Sequence, residues 1–457
     1  MQEIMKHMDP KLIDNLCGHF RENSQVDPEL FGRYGIKRGL RNADGTGVLA
    51  GVTRVSNVHG YIVNEGEREP IEGRLTYRGI NLYDLLDGFE RENRFGFSEV
   101  GYLLMCGALP SPAELEAFET AIADSRNLPD NFTEDVLMRA PSRDIMNKLA
   151  SATLSLYSYD PNPDDTTIEN VMRQGIGLIS RFPIIISHAY QVKRRYFDNA
   201  SMHLHLPDKN LSTAENILTL IRPDGQYTMQ EAYLLDRCLV IHAEHGGGNN
   251  SAFAARVSSS SGTDTYSAIA AAVGALKGPR HGGANLKVMN MFDDIQAHVK
   301  DWEDEDEVYQ YLLKILRREA ADRSGLIYGM GHAVYTLSDP RAVALKEGAR
   351  PLAQENGYVR EFNLVELVEK LTPRAFAEIR GEGVKTICAN VDLYSGLVYT
   401  MLGIPREMFT PLFATARIVG WMAHRMEELV LGGKIIRPAY KPMRHKPKQY
   451  VPLIERT

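Results

Sequence analysis

Residues 264–283 of the chain read DTYSAIAAAVGALKGPRHGG. Asp264 can accept a hydrogen bond from a free amide of a first helical turn, and the alanine-rich run up to Leu276 favours a helix. Gly278-Pro279 ends such a helix, because proline cannot continue the backbone hydrogen bonds. A second helix is predicted from near Gly283 to about residue 298. The stretch therefore predicts two consecutive helices with His281 in the break between them.

Similar helix starts occur elsewhere in the chain. Capping boxes, in which a Ser or Thr and a Glu three residues later satisfy each other's backbone amides, are present at Ser111-Pro112-Ala113-Glu114 and at Thr228-Met229-Gln230-Glu231. Thr410-Pro411 is predicted to open a further helix with an apolar face. Because no strand alternates regularly with these helices, the sequence predicts an all-α fold and disfavours a doubly wound α/β sheet.

The clear strand signals lie near the N-terminal end. Short β-type runs at Val52 to Val55, Tyr61 to Val63 and Arg74 to Tyr77 are separated by Gly60 and by a predicted turn region from Gly66 to Gly73. These runs predict a small β hairpin. Residues 1–45 are polar and end in the turn-rich stretch Asn42 to Gly47, so they are predicted to form an N-terminal arm.

Composition limits the class of protein. The chain has 457 residues, of which 44% are hydrophobic and 24% charged, as expected of a globular protein, and its net charge of -7 argues against general nucleic-acid binding. Its four cysteines are far apart and contain no C-x-x-C pair. No stretch approaches the roughly 18 apolar residues of a membrane span, and no signal sequence is apparent. A cytoplasmic location is therefore expected.

Three histidines stand next to glycines, which let a substrate approach the backbone. They are His245 before Gly246-Gly247-Gly248, His281 before Gly282-Gly283, and His332 after Gly329-Met330-Gly331. Imidazole moves protons near neutral pH, so the pattern indicates acid-base chemistry. His281 faces the positive end of the following helix, which disfavours imidazolium, so we expect a neutral ring that can donate a hydrogen bond to an enolate oxygen.

A zinc site is the alternative interpretation for one part of this pattern. His242 and His245, three residues apart on one predicted helix, could share a metal. The spacing is not H-E-x-x-H, however, and no third ligand is apparent, so no metal is expected. A core position with its ring bonded to a backbone carbonyl is the simpler interpretation of His242.

One carboxyl and several arginines follow these histidines. Asp392 precedes an apolar run, where it could cap a helix; a helix start would weaken it as a base, whereas burial would strengthen it. Arg341 follows Asp339-Pro340 at a predicted helix start, and Arg417 lies within an apolar stretch. Each needs a carboxylate partner or an anionic ligand, and converging guanidiniums suggest a di- or tricarboxylate.

Four motifs together carry a resemblance to a known family. They are His242 to His245, Gly278 to Asn285, Gly329 to His332 with Asp339-Pro340-Arg341, and Asn390-Val391-Asp392-Leu393-Tyr394-Ser395-Gly396. In this order they resemble citrate synthases, over about residues 75–440. The resemblance implies an almost wholly α-helical homodimer with a large and a small domain. It implies an acyltransferase that condenses acetyl-CoA with oxaloacetate in the tricarboxylic acid cycle and hydrolyses citryl-CoA.

The resemblance also implies roles for individual residues. Asp392 would abstract a methyl proton of acetyl-CoA, His281 would hydrogen-bond the thioester oxygen, and His332 would polarise the oxaloacetate carbonyl. The residues implied in binding oxaloacetate are His245, Arg341, Arg417 and, from the other subunit, Arg437. The residues implied in binding CoA are Gly329, Gly331 and Asn390. Acetyl-CoA would be a substrate, and no separate cofactor is expected.

The sequence departs from the pattern at two places. Ala333-Val334-Tyr335-Thr336 stands where many bacterial members have Arg-Val-Tyr-Lys, and Arg280 stands where a smaller apolar residue is common.

The large lobe is predicted at residues 46–281 and 397–457 and the small lobe at 282–396. Within the class, 2-methylcitrate synthase, which uses propionyl-CoA, is the alternative.

Overall fold

The structure is a computed structural model that describes residues 9–42, 45–64, 67–381, 387–443 and 449–456. Its internal contacts divide the chain into two units, Met1–Val52 and Thr53–Thr457. The first unit contains the helices Pro10–Asn23 (α1) and Glu29–Arg33 (α2). Of the predicted arm, residues 1–8, 43 and 44 lie outside the described residues.

The second unit begins with a small antiparallel sheet. Its strands are Ser56–Asn64 (β1), Glu67–Tyr77 (β2) and Ile80–Asn81 (β3), paired in the order β1-β2-β3. The predicted hairpin is confirmed, but its bounds were wrong, because residues 52–55 precede β1 and most of the predicted turn region belongs to β2. Gly66 lies outside the described residues.

The physical reason for the wrong bounds is that two glycines serve close packing rather than turns. A Cβ atom on Gly73 would lie 2.2 Å from the carbonyl oxygen of Ser338, and one on Gly60 would lie 3.0 Å from that of Val334. Bare backbone at both positions lets the segment 334–338 lie against the sheet. That segment connects His332 to Arg341, so the sheet supports the candidate site.

Helices make up most of the second unit, and the all-α prediction is confirmed. The helices are Leu82–Arg91 (α3), Phe97–Cys106 (α4), Pro112–Asp124 (α5), Ile145–Leu156 (α6), Ile168–Phe197 (α7), Thr213–Ile221 (α8), Met229–His242 (α9), Asn250–Ser259 (α10), Thr265–Lys277 (α11), Ala284–His298 (α12), Glu305–Leu316 (α13), Pro340–Glu355 (α14), Val359–Arg380 (α15), Asp392–Met401 (α16) and Phe409–Leu431 (α17). No helix in the described ranges is long and apolar enough to cross a membrane.

Most of the predicted helix starts are confirmed. Both capping boxes form, at the starts of α5 and α9, and the Asp264 side chain accepts from the Ser267 amide at the start of α11. The helix predicted to open at Thr410-Pro411 begins one residue earlier, at Phe409, where it continues directly from a short 3-10 turn.

Helix α17 lies in the middle of the core. Every residue from Phe409 to Met426 is buried, and the helix packs against α4, α7, α9, α10 and α11. A helix that is buried on all sides requires apolar residues around its whole circumference, so the polar residues it carries must find partners inside the protein. The division of this unit into a large and a small lobe remains a prediction.

Candidate active site

Five separate segments bring the predicted site residues toward one another. Helix α9 ends at His242 and leads into residues 243–249, and the break between α11 and α12 carries His281. Residues 329–331 pair with residues 388–390: the Gly331 amide donates to the Cys388 carbonyl at 2.7 Å, and the Asn390 amide donates to the Gly329 carbonyl at 2.8 Å. The buried helix α17 supplies Arg417.

His245 and His332 come together, although they are far apart in sequence. Their ring centroids are 5.1 Å apart with the planes nearly perpendicular, and Tyr335 stacks on His332 at 4.6 Å. His245 Nε2 is buried and has no hydrogen-bond partner among the described residues. Burial lowers the pKa of His245 well below its usual range, and Arg341 lowers it further. His245 is therefore a neutral ring with one unused nitrogen.

Hydrogen bonds fix the tautomer of His332. Its Nδ1 accepts from the Val334 amide at 3.0 Å and from the Tyr335 amide at 3.1 Å. A nitrogen that accepts cannot carry the proton, so the proton of the neutral ring is on Nε2. The Arg341 Nη2 atom lies 3.5 Å from that nitrogen, at the limit of hydrogen bonding. Both groups are donors, so this contact is not a hydrogen bond, and the His332 N–H and the Arg341 guanidinium present donors to the same region.

Arg341 has the carboxylate partner that its position requires. The buried Asp339 accepts from Arg341 Nη2 at 2.7 Å and from Nε at 3.1 Å, and it also caps α14 through the Arg341 amide. The predicted conflict between a cation and a helix N-terminus is thus resolved by the capping residue itself. Burial alone would lower the pKa of Arg341, but Asp339 raises it.

Arg417 lacks such a partner. The side chain is fully buried, its Nε donates to the His242 carbonyl at 2.6 Å, and the guanidinium lies 4.6 Å from the centre of the Phe413 ring. Neither Nη1 nor Nη2 has a hydrogen-bond partner among the described residues. Burial lowers the pKa of Arg417 to about 10, so the group still carries its charge at neutral pH. The result is a buried cation with two unused donor groups.

His281 lies in the break between α11 and α12, as predicted. Burial, with a smaller effect of Arg417, lowers the pKa of His281 to about 4, so the prediction of a neutral ring is confirmed, although burial rather than the helix is the main cause. Its Nε2 lies 3.1 Å from the Ser251 hydroxyl, which accepts from Trp421 Nε1 at 3.1 Å and donates to Asn249 Oδ1 at 2.9 Å.

Asp392 is the first residue of α16 rather than its cap. The N-cap position is Val391, which makes no side-chain capping bond, and the Asp392 amide donates to the Asn390 side chain at 3.0 Å. Burial raises the pKa of Asp392 to about 6, against opposing effects of Arg341 and Arg417. Of the two competing effects that the sequence left open, burial is therefore the stronger. The same Arg417 lowers the pKa of His281, so Asp392 and His281 both lie within its field.

The predicted CoA residues lie together beside Asp392. Asn390 Nδ2 donates to the Gly331 carbonyl at 2.9 Å. Gly329 has a φ of +84° and Gly331 a φ of +96°, which disfavour other residues, and a Cβ atom on Gly329 would lie 2.8 Å from the Leu393 side chain. The geometry requires glycine at Gly329 because of both conformation and space.

The arrangement of His242 and His245 differs from the prediction. Helix α9 ends at His242, so the two do not share a helical face. His242 Nδ1 bonds the Cys238 carbonyl at 2.8 Å, which confirms the core interpretation, and its Nε2 is buried without a partner in the described structure. In the described part of the chain, no group of three His, Cys, Asp or Glu side chains is arranged to hold a metal ion.

Arg437 does not join this cluster within the chain. It is exposed, on the segment after α17, where the neighbouring Ile436 amide donates to Ser260 Oγ at 3.1 Å. Other residues near the site were not singled out by the sequence, notably Ser251 and the buried pair Glu244 and His424. Only His424, a polar residue in an otherwise apolar stretch, carried a signal of the kind that identified Arg417.

Comparison with known proteins agrees with this geometry. The family model described as "Citrate synthase, C-terminal domain" matches residues 42–439. A citrate synthase from Synechocystis sp. is 34% identical over 94% of this chain and 95% of its own length. A 2-methylcitrate synthase 1 from Corynebacterium glutamicum is 32% identical over 92% of this chain and 99% of its own length.

Solved structures are similar as well. A citrate synthase from Thermotoga maritima has a TM-score of 0.71 and 31% identity, covering 92% of this chain and 99% of that one. A citrate synthase from Thermoplasma acidophilum, solved as a ternary complex with carboxymethyl coenzyme A and oxaloacetate, has a TM-score of 0.74 and 25% identity, covering 92% of this chain and 99% of that one. The chain therefore belongs to the citrate synthase family and is an acyl-transferring enzyme.

Proposed function

We propose that this enzyme condenses acetyl-CoA with oxaloacetate and hydrolyses the resulting citryl-CoA to citrate and CoA. The observation that carries the proposal is the buried guanidinium of Arg417 with two unused donor groups; its charge lowers the pKa of His245, a second buried side chain whose Nε2 is also unused. Buried donors without partners are costly in a folded protein unless a ligand satisfies them. A small dicarboxylate provides the acceptors that these groups lack.

In this proposal, oxaloacetate is held by its carboxylates and activated at its ketone. Arg417 and His245 bind carboxylate oxygens. Arg341, whose charge is balanced by Asp339, contributes the N–H groups that Asp339 does not use. His332 donates its Nε2 proton to the ketone oxygen, on which negative charge develops as the new carbon–carbon bond forms.

Asp392 and His281 would activate acetyl-CoA. The Asp392 carboxylate takes a proton from the acetyl methyl group, and a pKa of about 6 makes it a stronger base than an ordinary carboxylate while leaving it ionised at neutral pH. His281 donates from Nδ1 to the thioester oxygen. The Ser251 hydroxyl donates to Asn249 Oδ1 in the structure, so this step requires the hydroxyl to rotate and donate to His281 Nε2 instead; Asn249 Oδ1 then keeps the Ser251 amide as its donor. The enol carbon then attacks the ketone, and water hydrolyses the thioester.

The direct test is thiol release measured with acetyl-CoA and with propionyl-CoA, each with oxaloacetate. The 2-methylcitrate synthase of Corynebacterium glutamicum is nearly as similar as the citrate synthases, so propionyl-CoA is the alternative substrate. One methylene is worth about 1–3 kcal/mol in a pocket, and we expect kcat/KM to favour acetyl-CoA by about 10-fold or more. A preference for propionyl-CoA would establish the alternative, and absence of thiol release with both would refute the proposal.

We also propose a homodimer in which Arg437 of each subunit completes the site of the other, with CoA bound along Gly329, Gly331 and Asn390 and no separate cofactor. The exposure of Arg437 supports this role. Mixed dimers of Arg437→Ala and Asp392→Asn subunits should regain activity, because one site then has both groups. Mixtures that stay inactive would place Arg437 in its own subunit's site.

We further propose that the enzyme works in the cytoplasm. Cys17, Cys106, Cys238 and Cys388 are all unpaired thiols, as a reducing compartment favours. Cell fractionation with activity in the soluble fraction is the expected result.

A further inference from the structure

Glu244 is a fully buried carboxylate to which the proposed reaction assigns no role. Its Oε1 accepts from His424 Nε2 at 2.8 Å, from Ser56 Oγ at 3.0 Å and from the Gly246 amide, while Oε2 has no partner among the described residues. The Tyr77 hydroxyl contacts the Glu244 carbonyl at 3.2 Å. Side chain and backbone are thus both fixed immediately before His245.

The His424 ring that donates to this carboxylate is itself fixed by further hydrogen bonds. His424 Nδ1 contacts Arg256 Nη2 at 2.7 Å, and because arginine only donates, that nitrogen accepts and the ring proton lies on Nε2, facing Glu244. Arg256 in turn bonds Glu428 at 2.9 Å and, at closer range, Glu427. A continuous chain of charged and polar groups therefore leads from the end of α17 to Glu244.

Glu244 is also the main source of compensation for Arg417. Burial lowers the pKa of Arg417, and the largest opposing effect comes from Glu244. In the other direction, burial alone would raise the pKa of Glu244, but His424, Arg417 and Ser56 bring it to about 2. Since the Nη atoms of Arg417 have no hydrogen-bond partner, Glu244 acts on Arg417 through its field and leaves those donors unused.

We propose that Glu244 is a positioning residue for the oxaloacetate site: its hydrogen bonds fix the backbone on both sides of His245, and its negative charge balances the buried Arg417 without occupying its donors, so that both residues are ready for a carboxylate. The inference rests on the proposed function and adds a residue that does not touch the substrate. A direct ion pair would compensate Arg417 equally well but would occupy the donors that the ligand needs.

Two glycines make room for this arrangement. A Cβ atom on Gly420, inside α17, would lie 2.3 Å from Glu244 Oε2 and 2.5 Å from the Ala243 carbonyl oxygen. One on Gly247 would lie 3.1 Å from Arg256 Nε. Glycine inside a helix normally costs about 1 kcal/mol relative to alanine, so Gly420 is explained by the carboxylate beside it.

The test measures oxaloacetate binding by calorimetry, without any acyl-CoA, together with thermal unfolding. Glu244→Gln keeps the shape and removes the charge, and it should weaken binding at least about 10-fold. Glu244→Asp keeps the charge and should retain affinity within about 3-fold, despite a shorter reach. Asp236→Asn, which alters another buried carboxyl that instead accepts from the Gly96 amide, is the matched control and should leave binding unchanged.

The outcomes separate the inference from the function on which it rests. Wild-type affinity in Glu244→Gln would overturn the inference alone, as would equal losses of affinity and stability in Glu244→Gln and Asp236→Asn. A wild-type enzyme that does not bind oxaloacetate would overturn both proposals.

A second pair of variants changes no charged group. Gly420→Ala should displace the Glu244 carboxylate and weaken oxaloacetate binding, whereas Gly274→Ala, inside α11 with nothing within 4 Å, should leave it unchanged. Unchanged binding in a folded Gly420→Ala enzyme would contradict the role of Glu244.

Discussion

Two arginines on the same helix differ in a way that separates binding from structure. Arg417 and Arg425 lie about two turns apart on α17 and both are fully buried. Burial lowers the pKa of each to about 10. By burial and pKa alone, the two residues are indistinguishable.

Their hydrogen bonds differ. Arg425 donates to Thr265 Oγ1 at 3.1 Å, to Ser259 Oγ at 3.0 Å and to the Thr263 carbonyl at 2.8 Å, so each nitrogen has a protein partner. Arg417 has a partner for Nε only. The saturated guanidinium joins α17 to the region between α10 and α11, whereas the unsaturated one is available to a ligand. Unused donors, rather than burial, therefore mark the site.

The largest expected effect tests whether the site beside Arg417 is the site of catalysis. Asp392→Asn removes the proposed base with little change in shape, and kcat should fall by about 10²–10⁴-fold with oxaloacetate affinity retained. Steady-state kinetics and calorimetry measure the two quantities. Turnover near that of the wild type would exclude Asp392 as the base.

The next effect tests whether Arg425 has a purely structural role. Arg425→Met removes three buried hydrogen bonds, so the free energy of unfolding should fall by about 2–4 kcal/mol, because the acceptors lose a charged donor. Urea unfolding measures this, and the KM for oxaloacetate should not change. A raised KM without loss of stability would mean that Arg425 also serves binding.

The smallest effect is a shift in pH dependence. Asp392 must be ionised to act as a base, so kcat/KM should fall as the pH drops through about 6. His281, with a pKa of about 4, stays neutral over this range and adds no second step. Because the charge of Arg417 lowers the pKa of Asp392, Arg417→Met should move the residual acid limb to higher pH, whereas Arg425→Met should leave it in place. A limb that moves equally in both variants would remove the distinction.

Local signals in the sequence predicted the helices and much of the site. The Asp264 cap and the Gly278-Pro279 stop placed His281 correctly, because caps and breaks depend on neighbouring residues. The isolated cation Arg417 was identified for a similar reason, because the apolar residues around it in the sequence predict that it is buried. The resemblance to citrate synthases then supplied the substrates and the individual roles.

What the sequence did not reveal depends on contacts between distant segments. Gly60 and Gly73 resemble turn residues in the sequence, but in the structure they allow the segment 334–338 to pack closely against the sheet. The bond between Glu244 and His424 joins residues with no common local pattern. The competition between capping and burial at Asp392 could be settled only by the tertiary structure, in which Asp392 is the first helical residue and is buried.

The central claim, that the unused donors of Arg417 receive a substrate carboxylate, is tested most directly by the shift in Tm that oxaloacetate causes. A ligand that binds only the folded state stabilises it by about 2.7 kcal/mol at 100 times its Kd, and this stabilisation raises Tm. We predict that oxaloacetate raises the Tm of the wild type and of Arg425→Met, from a lower starting value in the latter, and leaves that of Arg417→Met unchanged. An undiminished shift in Arg417→Met would contradict the account.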